Sequence, residues 1–223
     1  MKLIIGNKNY SSWSLRGWLG VRQSGLPFDE EVVSLYDHDW EQRRTADAFA
    51  PSAGKVPILW DGDDCAVWDS LAIIDYLDGK TGGTRGFWPD APPARAMARS
   101  MAAEMHAGFA ALRRTHGMNI RRHYPAQPLS AEVEDDVARI VQLWAQARAR
   151  FGGTGEFLFG DWSAVDMMFA PVVSRFITYS IPIPRFAQGY CHAVINQPHM
   201  QEWIGAARAE DWVIDKFEGA AQR

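Results

Sequence analysis

Two cysteines among 223 residues, Cys65 and Cys191, stand far apart and outside any C-x-x-C or metal-ligand spacing. Their scarcity argues against a disulfide framework, a zinc site and dithiol redox chemistry, and both thiols read as reduced and structural. No apolar run approaches the roughly 18 residues of a membrane span. The start, Met1-Lys2-Leu3-Ile4-Ile5-Gly6, is too short an apolar stretch for a signal peptide and reads as the first strand of a cytosolic protein. A basic stripe is missing too: 23 Lys and Arg lie scattered among 27 Asp and Glu, for a net charge of −4, which speaks against a nucleic-acid surface and for a small-molecule partner. With no low-complexity block or repeat, and with 47% hydrophobic residues, the chain is expected to fold throughout.

What is present organises into two unlike halves. Lys2 to Ile5 reads as a strand, Gly6 to Ser12 as a polar loop, and Trp13 to Gln23 as a helix that stops at Gly25-Leu26-Pro27. Asp29 to Leu35 reads as a second strand, and Asp39 to Phe49 as a short helix. A β-branched run interrupted by proline, Lys55 to Trp60, and a second short run, Cys65 to Trp68, flank Asp61-Gly62-Asp63-Asp64 as a hairpin, and a helix opens at Asp69-Ser70 and stops before Gly79. The order of this unit, residues 1–80, is β-α-β-α-β-β-α. Residues 81–93, with Pro89, Pro92 and Pro93, have linker composition. Residues 94–223 then read as all-α, with helices over Ala94 to His116, Ser130 to Phe151, Ala164 to Phe176, Phe186 to Asn196 and Pro198 to Ala209.

Two dipeptides carry chemical content. A proline inside a strand removes a ladder bond, so Val56-Pro57 needs compensation. An edge strand is one solution. A cis bond is another, and it turns the Val56 backbone outward, where its N–H and C=O can pair with a peptide-like ligand. Asp69-Ser70 opens a helix directly after a strand; plain N-capping is one reading, and an anion site made by free N–H groups and the Ser70 hydroxyl, with Asp69 as an acceptor for an amino group, is the other.

A serine-bearing loop and helix, then V-P before a hairpin, then D-S opening a helix that ends Ile74-Asp75-Tyr76-Leu77, resemble the cytosolic glutathione transferases. The resemblance continues past the linker in Phe157-Leu158-Phe159-Gly160-Asp161-Trp162-Ser163-Ala164-Val165-Asp166, a helix-initiating segment in which Ser163 and Asp166 form a structural capping box. It implies a thioredoxin-like N-terminal domain that binds glutathione, an all-α domain that shapes a second pocket, a homodimer, and a cytoplasmic detoxification enzyme that lowers the glutathione thiol pKa for attack on an electrophile. No metal is implied.

Residue by residue, the resemblance assigns thiolate stabilisation to Ser11 or Ser12, since Ser11-Ser12-Trp13-Ser14 resembles the paired serines of the zeta class while counting from Arg16, as in the theta class, favours Ser12. Tyr10 is a weaker candidate. The Val56-Pro57 pair takes the cysteinyl part, Asp69 and Ser70 the γ-glutamyl end, and Lys55 reaches the glycyl carboxylate. The second pocket, for a small hydrophobic or carboxylated electrophile, draws on Met105, His106, Phe109, Asn119 and Arg122. Glutathione-dependent cis–trans isomerisation of a maleylacetoacetate-type substrate, or a non-catalytic interaction module of the same fold, are the alternatives. Trp13 departs from the zeta pattern, which has a cysteine there.

Overall fold

The computed structural model describes residues 1–219, so residues 220–223 of the expected helical domain lie outside the described residues. The first region holds β1 (Lys2–Gly6), α1 (Ser12–Ser24), β2 (Asp29–Val33), α2 (Trp40–Arg43), a 3₁₀ turn (Asp47–Ser52), β3 (Ile58–Trp60), β4 (Ala66–Val67) and α3 (Ser70–Lys80). Its sheet runs β2-β1-β3-β4, with β1 parallel to β2 and antiparallel to β3, and β3 antiparallel to β4. This is the mixed sheet of a thioredoxin-like domain. The apolar run of β1 is continuous because both faces are covered: Leu3 and Ile5 point into the core shared with α1 and α3, while Ile4 points the other way, onto Trp40, Phe49 and Ile58.

Two glycines let α1 lie close on its neighbours. A Cβ at Gly17 would sit 2.8 Å from Pro57 Cγ, and one at Gly20 would sit 2.9 Å from Ile74 Cγ1. The close approach presses the N-terminal half of α1 against the turn that carries Val56 and Pro57, which fixes how the two halves of the site meet.

The second region is helical: α4 (Pro92–Ala107), α5 (Ala110–Thr115), α6 (Ala131–Phe151), α7 (Ala164–Thr178), α8 (Arg185–Asn196), α9 (Pro198–Ala209) and a 3₁₀ turn (Asp215–Phe217). None of the described helices is long and apolar enough to cross a membrane. α7 is buried along nearly its whole length, and Ser163 N–H and Oγ donate to Asp166 Oδ2 at 3.0 and 2.9 Å, so the expected capping box forms at its start. α1 packs on α7 and α9, and Trp18 lies against Trp203 with ring centroids 5.3 Å apart, so one core runs through both regions.

Some expected elements differ. The helix expected over Ala94 to His116 is two helices, broken at Gly108 and Phe109; Phe109 adopts φ 58°, and the Gly108 N–H ends α4 on Glu104 O. α4 also starts earlier, at Pro92, because proline suits the first turn of a helix, where no N–H is needed. The stretch Asp39 to Phe49 divides into α2 and the 3₁₀ turn, and β3 begins only at Ile58, beyond the proline that cannot donate to the ladder.

Candidate active site

A cavity of about 550 Å³ opens between the two regions. Its floor follows from where three elements end. β1 delivers the chain to the Gly6–Ser11 loop; α1 starts at Ser12 with Ser11 as its cap; and α3 starts at Ser70 with Asp69 as its cap. Ser11, Ser12, Trp13, Lys55, Val56, Pro57, Asp69 and Ser70 all line the cavity.

Ser11 is buried and Ser14 fully so. Their hydroxyl oxygens lie 2.7 Å apart, Ser14 N–H donates to Ser11 Oγ at 3.3 Å, and Gly6 N–H donates to Ser14 Oγ at 2.9 Å. Ser12 is more exposed, and its side chain makes no hydrogen bond among the described residues. Tyr10 is committed elsewhere: its hydroxyl donates to Glu218 Oε1, and it accepts from Arg121 Nη2 at 3.0 Å and from Ile214 N–H at 3.3 Å.

The Val56–Pro57 peptide is cis, as is Trp68–Asp69. Val56 N–H and C=O make no backbone hydrogen bond among the described residues, and Val56 lines the cavity. Asp69 Oδ1 accepts from Leu71 N–H at 2.8 Å, so one carboxylate oxygen caps α3. Ser70 Oγ is buried with no hydrogen-bond partner among the described residues. An unpartnered buried hydroxyl at the start of an 11-residue helix is a site prepared for an acceptor. Lys55 is exposed at the rim, and Arg44, on the same rim, was not singled out from the sequence because nothing local distinguishes it from a solvated arginine.

The five residues expected for the second pocket, Met105, His106, Phe109, Asn119 and Arg122, all lie outside the cavity lining. Met105 is fully buried, and Phe109 is nearly so. His106 stands behind the wall, its ring edge-on to Trp13 at 5.3 Å and its Nε2 3.6 Å from Asp69 Oδ2. Asn119 is fully buried and donates to Phe217 O and Glu218 Oε1 at 3.0 and 3.1 Å, while accepting from Asn9 Nδ2 at 3.0 Å. Arg122 pairs with Glu218 Oε2 at 2.5 Å. Asn119, Arg121 and Arg122 thus hold residues 210–218 across the cavity mouth, where Ile214 and Phe217 line it. The cations that do line the helical wall are Arg113 and Arg175. Sequence reasoning missed both, because they lie 62 positions apart and share a wall only where Arg175 of α7 reaches the His116 carbonyl at the end of α5.

Residues 10–80 match the family described as glutathione S-transferase, N-terminal domain. Over 66 residues, 30% of this chain, the sequence is 35% identical to the dichloromethane dehalogenase of Methylophilus leisingeri, and the match spans 24% of that relative's length. Among solved structures, a Burkholderia glutathione transferase homologue with bound glutathione has a TM-score of 0.70 at 20% identity, covering 94% of this chain and 98% of its own. A bacterial zeta-class maleyl pyruvate isomerase has a TM-score of 0.68 at 19% identity, covering 96% and 100%. At such identities these structures speak for the fold.

Proposed function

We propose that this chain, whose residues 10–80 match the glutathione S-transferase N-terminal domain and whose fold is that of the transferases, is a member of the cytosolic glutathione transferase superfamily that binds glutathione and activates the thiolate for attack on a small electrophile. The observation that carries this reading is the convergence of Ser11, Val56 and the unpartnered Ser70 hydroxyl on one cavity. In this reading the tripeptide lies extended, with its cysteinyl amide against the Val56 backbone and its γ-glutamyl carboxylate on Ser70 and the α3 N-terminus. Its amino group is beside Asp69, and its glycyl carboxylate lies towards Lys55 and Arg44. Residues 1–80 form the glutathione-binding domain, 81–93 the linker and 94–223 the substrate domain. The enzyme is taken as a cytoplasmic homodimer engaged in detoxification.

Ser11 is the serine we assign to the sulfur. Hydroxyl protons rotate to suit their surroundings, so either oxygen can donate across the 2.7 Å contact between Ser11 and Ser14. Ser14 is fully buried, already accepts from Gly6, and has Ser11 Oγ as its one recorded oxygen neighbour on the side chain. An unpaired buried hydroxyl costs about 1–3 kcal/mol, so donation from Ser14 to Ser11 is favoured once glutathione arrives. The Ser11 proton is then free for the thiolate. Lowering a thiol pKa by about two units needs roughly 2.7 kcal/mol, within reach of one hydrogen bond to a charged acceptor, about 1.5–3 kcal/mol, plus the field of the α1 terminus.

Ultraviolet titration of bound glutathione in the native protein and in Ser11→Ala and Ser12→Ala tests this. A bound-thiol pKa well below the free value, restored by Ser11→Ala alone, supports it; binding without any shift leaves a non-catalytic scaffold. A second reading, glutathione-dependent cis–trans isomerisation, is favoured by the Ser11-Ser12 pair together with the arginine-lined wall. Turnover of a maleylacetoacetate-type substrate in preference to aryl halides would select it.

A further inference from the structure

Two asparagines of the loop before α1, Asn7 and Asn9, are both fully buried, and they serve different regions. Asn7 ties the loop to its own region. Its carbonyl accepts from Tyr10 N–H at 3.2 Å and from Ser11 N–H at 2.8 Å, and its Oδ1 accepts from Leu35 N–H, just beyond β2, at 2.8 Å. Asn9 ties the loop to the helical region. Its Nδ2 donates to Asn119 Oδ1 at 3.0 Å, and its Oδ1 accepts from Arg121 N–H at 2.9 Å. Its carbonyl accepts from Ile120 N–H at 3.2 Å, and its own N–H donates to Glu210 Oε2 at 3.0 Å. Among the described residues, Asn9 makes no hydrogen bond to the first region, in which it stands.

The residues on either side are held from the same direction. Lys8 N–H donates to Glu210 Oε1, Lys8 O accepts from Trp203 Nε1 of α9 at 3.0 Å, and the Tyr10 hydroxyl donates to Glu218. Asn119 is fixed in turn, its carbonyl accepting from Thr178 Oγ1 of α7 at 2.9 Å. Three consecutive residues are thus gripped by the helical region, and the next in the chain is Ser11. Because Ser11 N–H closes the loop on Asn7 O, a shift of residues 8–10 carries Ser11 with it. Misplacing a catalytic group by about 1 Å costs on the order of 100-fold in rate.

We propose that Asn9 is a positioning residue, through which the helical region and Glu210 set where the Ser11 hydroxyl stands and so the pKa of the bound thiol. The inference rests on the glutathione reading for the identity of the sulfur. An asparagine with its donor and its acceptor both engaged holds its backbone in one orientation, and here every polar group of the residue is used for that purpose. Asn9 is absent from the cavity lining, so its effect falls on thiolate formation and not on how tightly the tripeptide is held.

The test is ultraviolet titration of glutathione bound to the full chain, with S-methylglutathione affinity measured by calorimetry, for the native protein, Asn9→Ala, Glu210→Gln and Asp166→Ala. Glu210→Gln leaves one side-chain oxygen for the N–H groups of Lys8 and Asn9 and turns a second donor on them. It also removes a negative charge, which by itself lowers a nearby thiol pKa, so a rise in this variant comes through the loop. The bound-thiol pKa is expected to rise by about one unit in Asn9→Ala and about half a unit in Glu210→Gln, with S-methylglutathione affinity kept within about three-fold. Asp166→Ala, whose network does not touch the loop, should destabilise the protein without moving the thiol pKa. A lowered native pKa that survives both Asn9→Ala and Glu210→Gln overturns the proposal while leaving the transferase reading intact. An equal rise in Asp166→Ala also overturns it, by making the effect one of general stability, and so does an S-methylglutathione affinity weakened more than about ten-fold. If Asn9→Ala fails to fold, Glu210→Gln decides alone. A native protein that leaves the thiol pKa of glutathione at its free value sinks the thiolate-activation reading and this proposal together.

Discussion

The helices α1 and α7 both begin with a serine cap, at Ser11 and at Ser163, and the surroundings give the two serines different work. Ser163 is sealed against Asp166, a fully buried carboxylate that also accepts from Leu158 N–H at 3.2 Å and from the Tyr190 hydroxyl at 3.0 Å. Ser11 caps α1 through a weaker 3.3 Å bond and lines a cavity. Local capping chemistry is the same at both ends. One network is closed, every donor meeting an acceptor within the protein, and so it can only stabilise. The other is open by one proton and can act on a ligand.

Asp166→Ala should break the closed network most severely. Several buried donors lose their acceptor at once, each costing about 1–3 kcal/mol, so a loss of roughly 3–5 kcal/mol in urea unfolding is expected. The thiol pKa of glutathione bound to the folded fraction should be unchanged; a shift there would mean the two caps are coupled. The same carboxyl has a pH signature. Burial outweighs its four donors and raises it from 3.8 to about 6, so the folded state holds this proton more tightly than the unfolded chain. Its contribution therefore favours folding below pH 3.8 and is lost as pH rises through 6. Relative to Asp166→Asn, the wild type should lose about 3 kcal/mol across that interval, read from unfolding curves at several pH values. A flat difference would mean that the donors hold the carboxylate ionised.

On the open side, Ser11→Ala should raise the bound-thiol pKa by about one to two units and lower the thiolate-limited rate at mildly acidic pH by roughly ten- to hundred-fold, with little effect on unfolding. Ser14→Ala removes only the residue that orients Ser11, and a shift of about half a unit to one unit in the same titration is expected. Equal effects from the two variants would show that Ser14 itself meets the sulfur. The smallest effect belongs to Lys55→Ala at the exposed rim: a glutathione affinity reduced by about 0.2–1 kcal/mol, fading as salt rises. A salt-independent loss would place Lys55 in a desolvated contact.

Much of the cavity floor built by the first region was legible because its signals are local. Val56-Pro57 and Asp69-Ser70 announce a broken strand edge and a capped helix within a few residues each, and the Ser163 to Asp166 spacing specifies its own box. The helical wall was not. Met105, Phe109 and Asn119 have the residue types of a pocket lining, but the break at Gly108 and Phe109 turns α5 so that Arg113 reaches the cavity, while Asn119 is drawn into the hydrogen bonds that hold residues 217 and 218. Helical periodicity continued through Gly108 hides such a turn, since one left-handed residue redirects everything after it.

The sequence by itself determined the mixed β-α order, the capped helix starts and the identity of the groups that could meet a thiol, because strand alternation, proline's missing N–H and serine capping act over a few residues. Only the tertiary structure decided which of those caps stayed open and what holds the loop that leads to Ser11. Whether a donor is satisfied depends on what the fold brings within about 3 Å of it, and for Asn9 that was settled by residues 119–121 and Glu210, all 110 or more positions away along the chain.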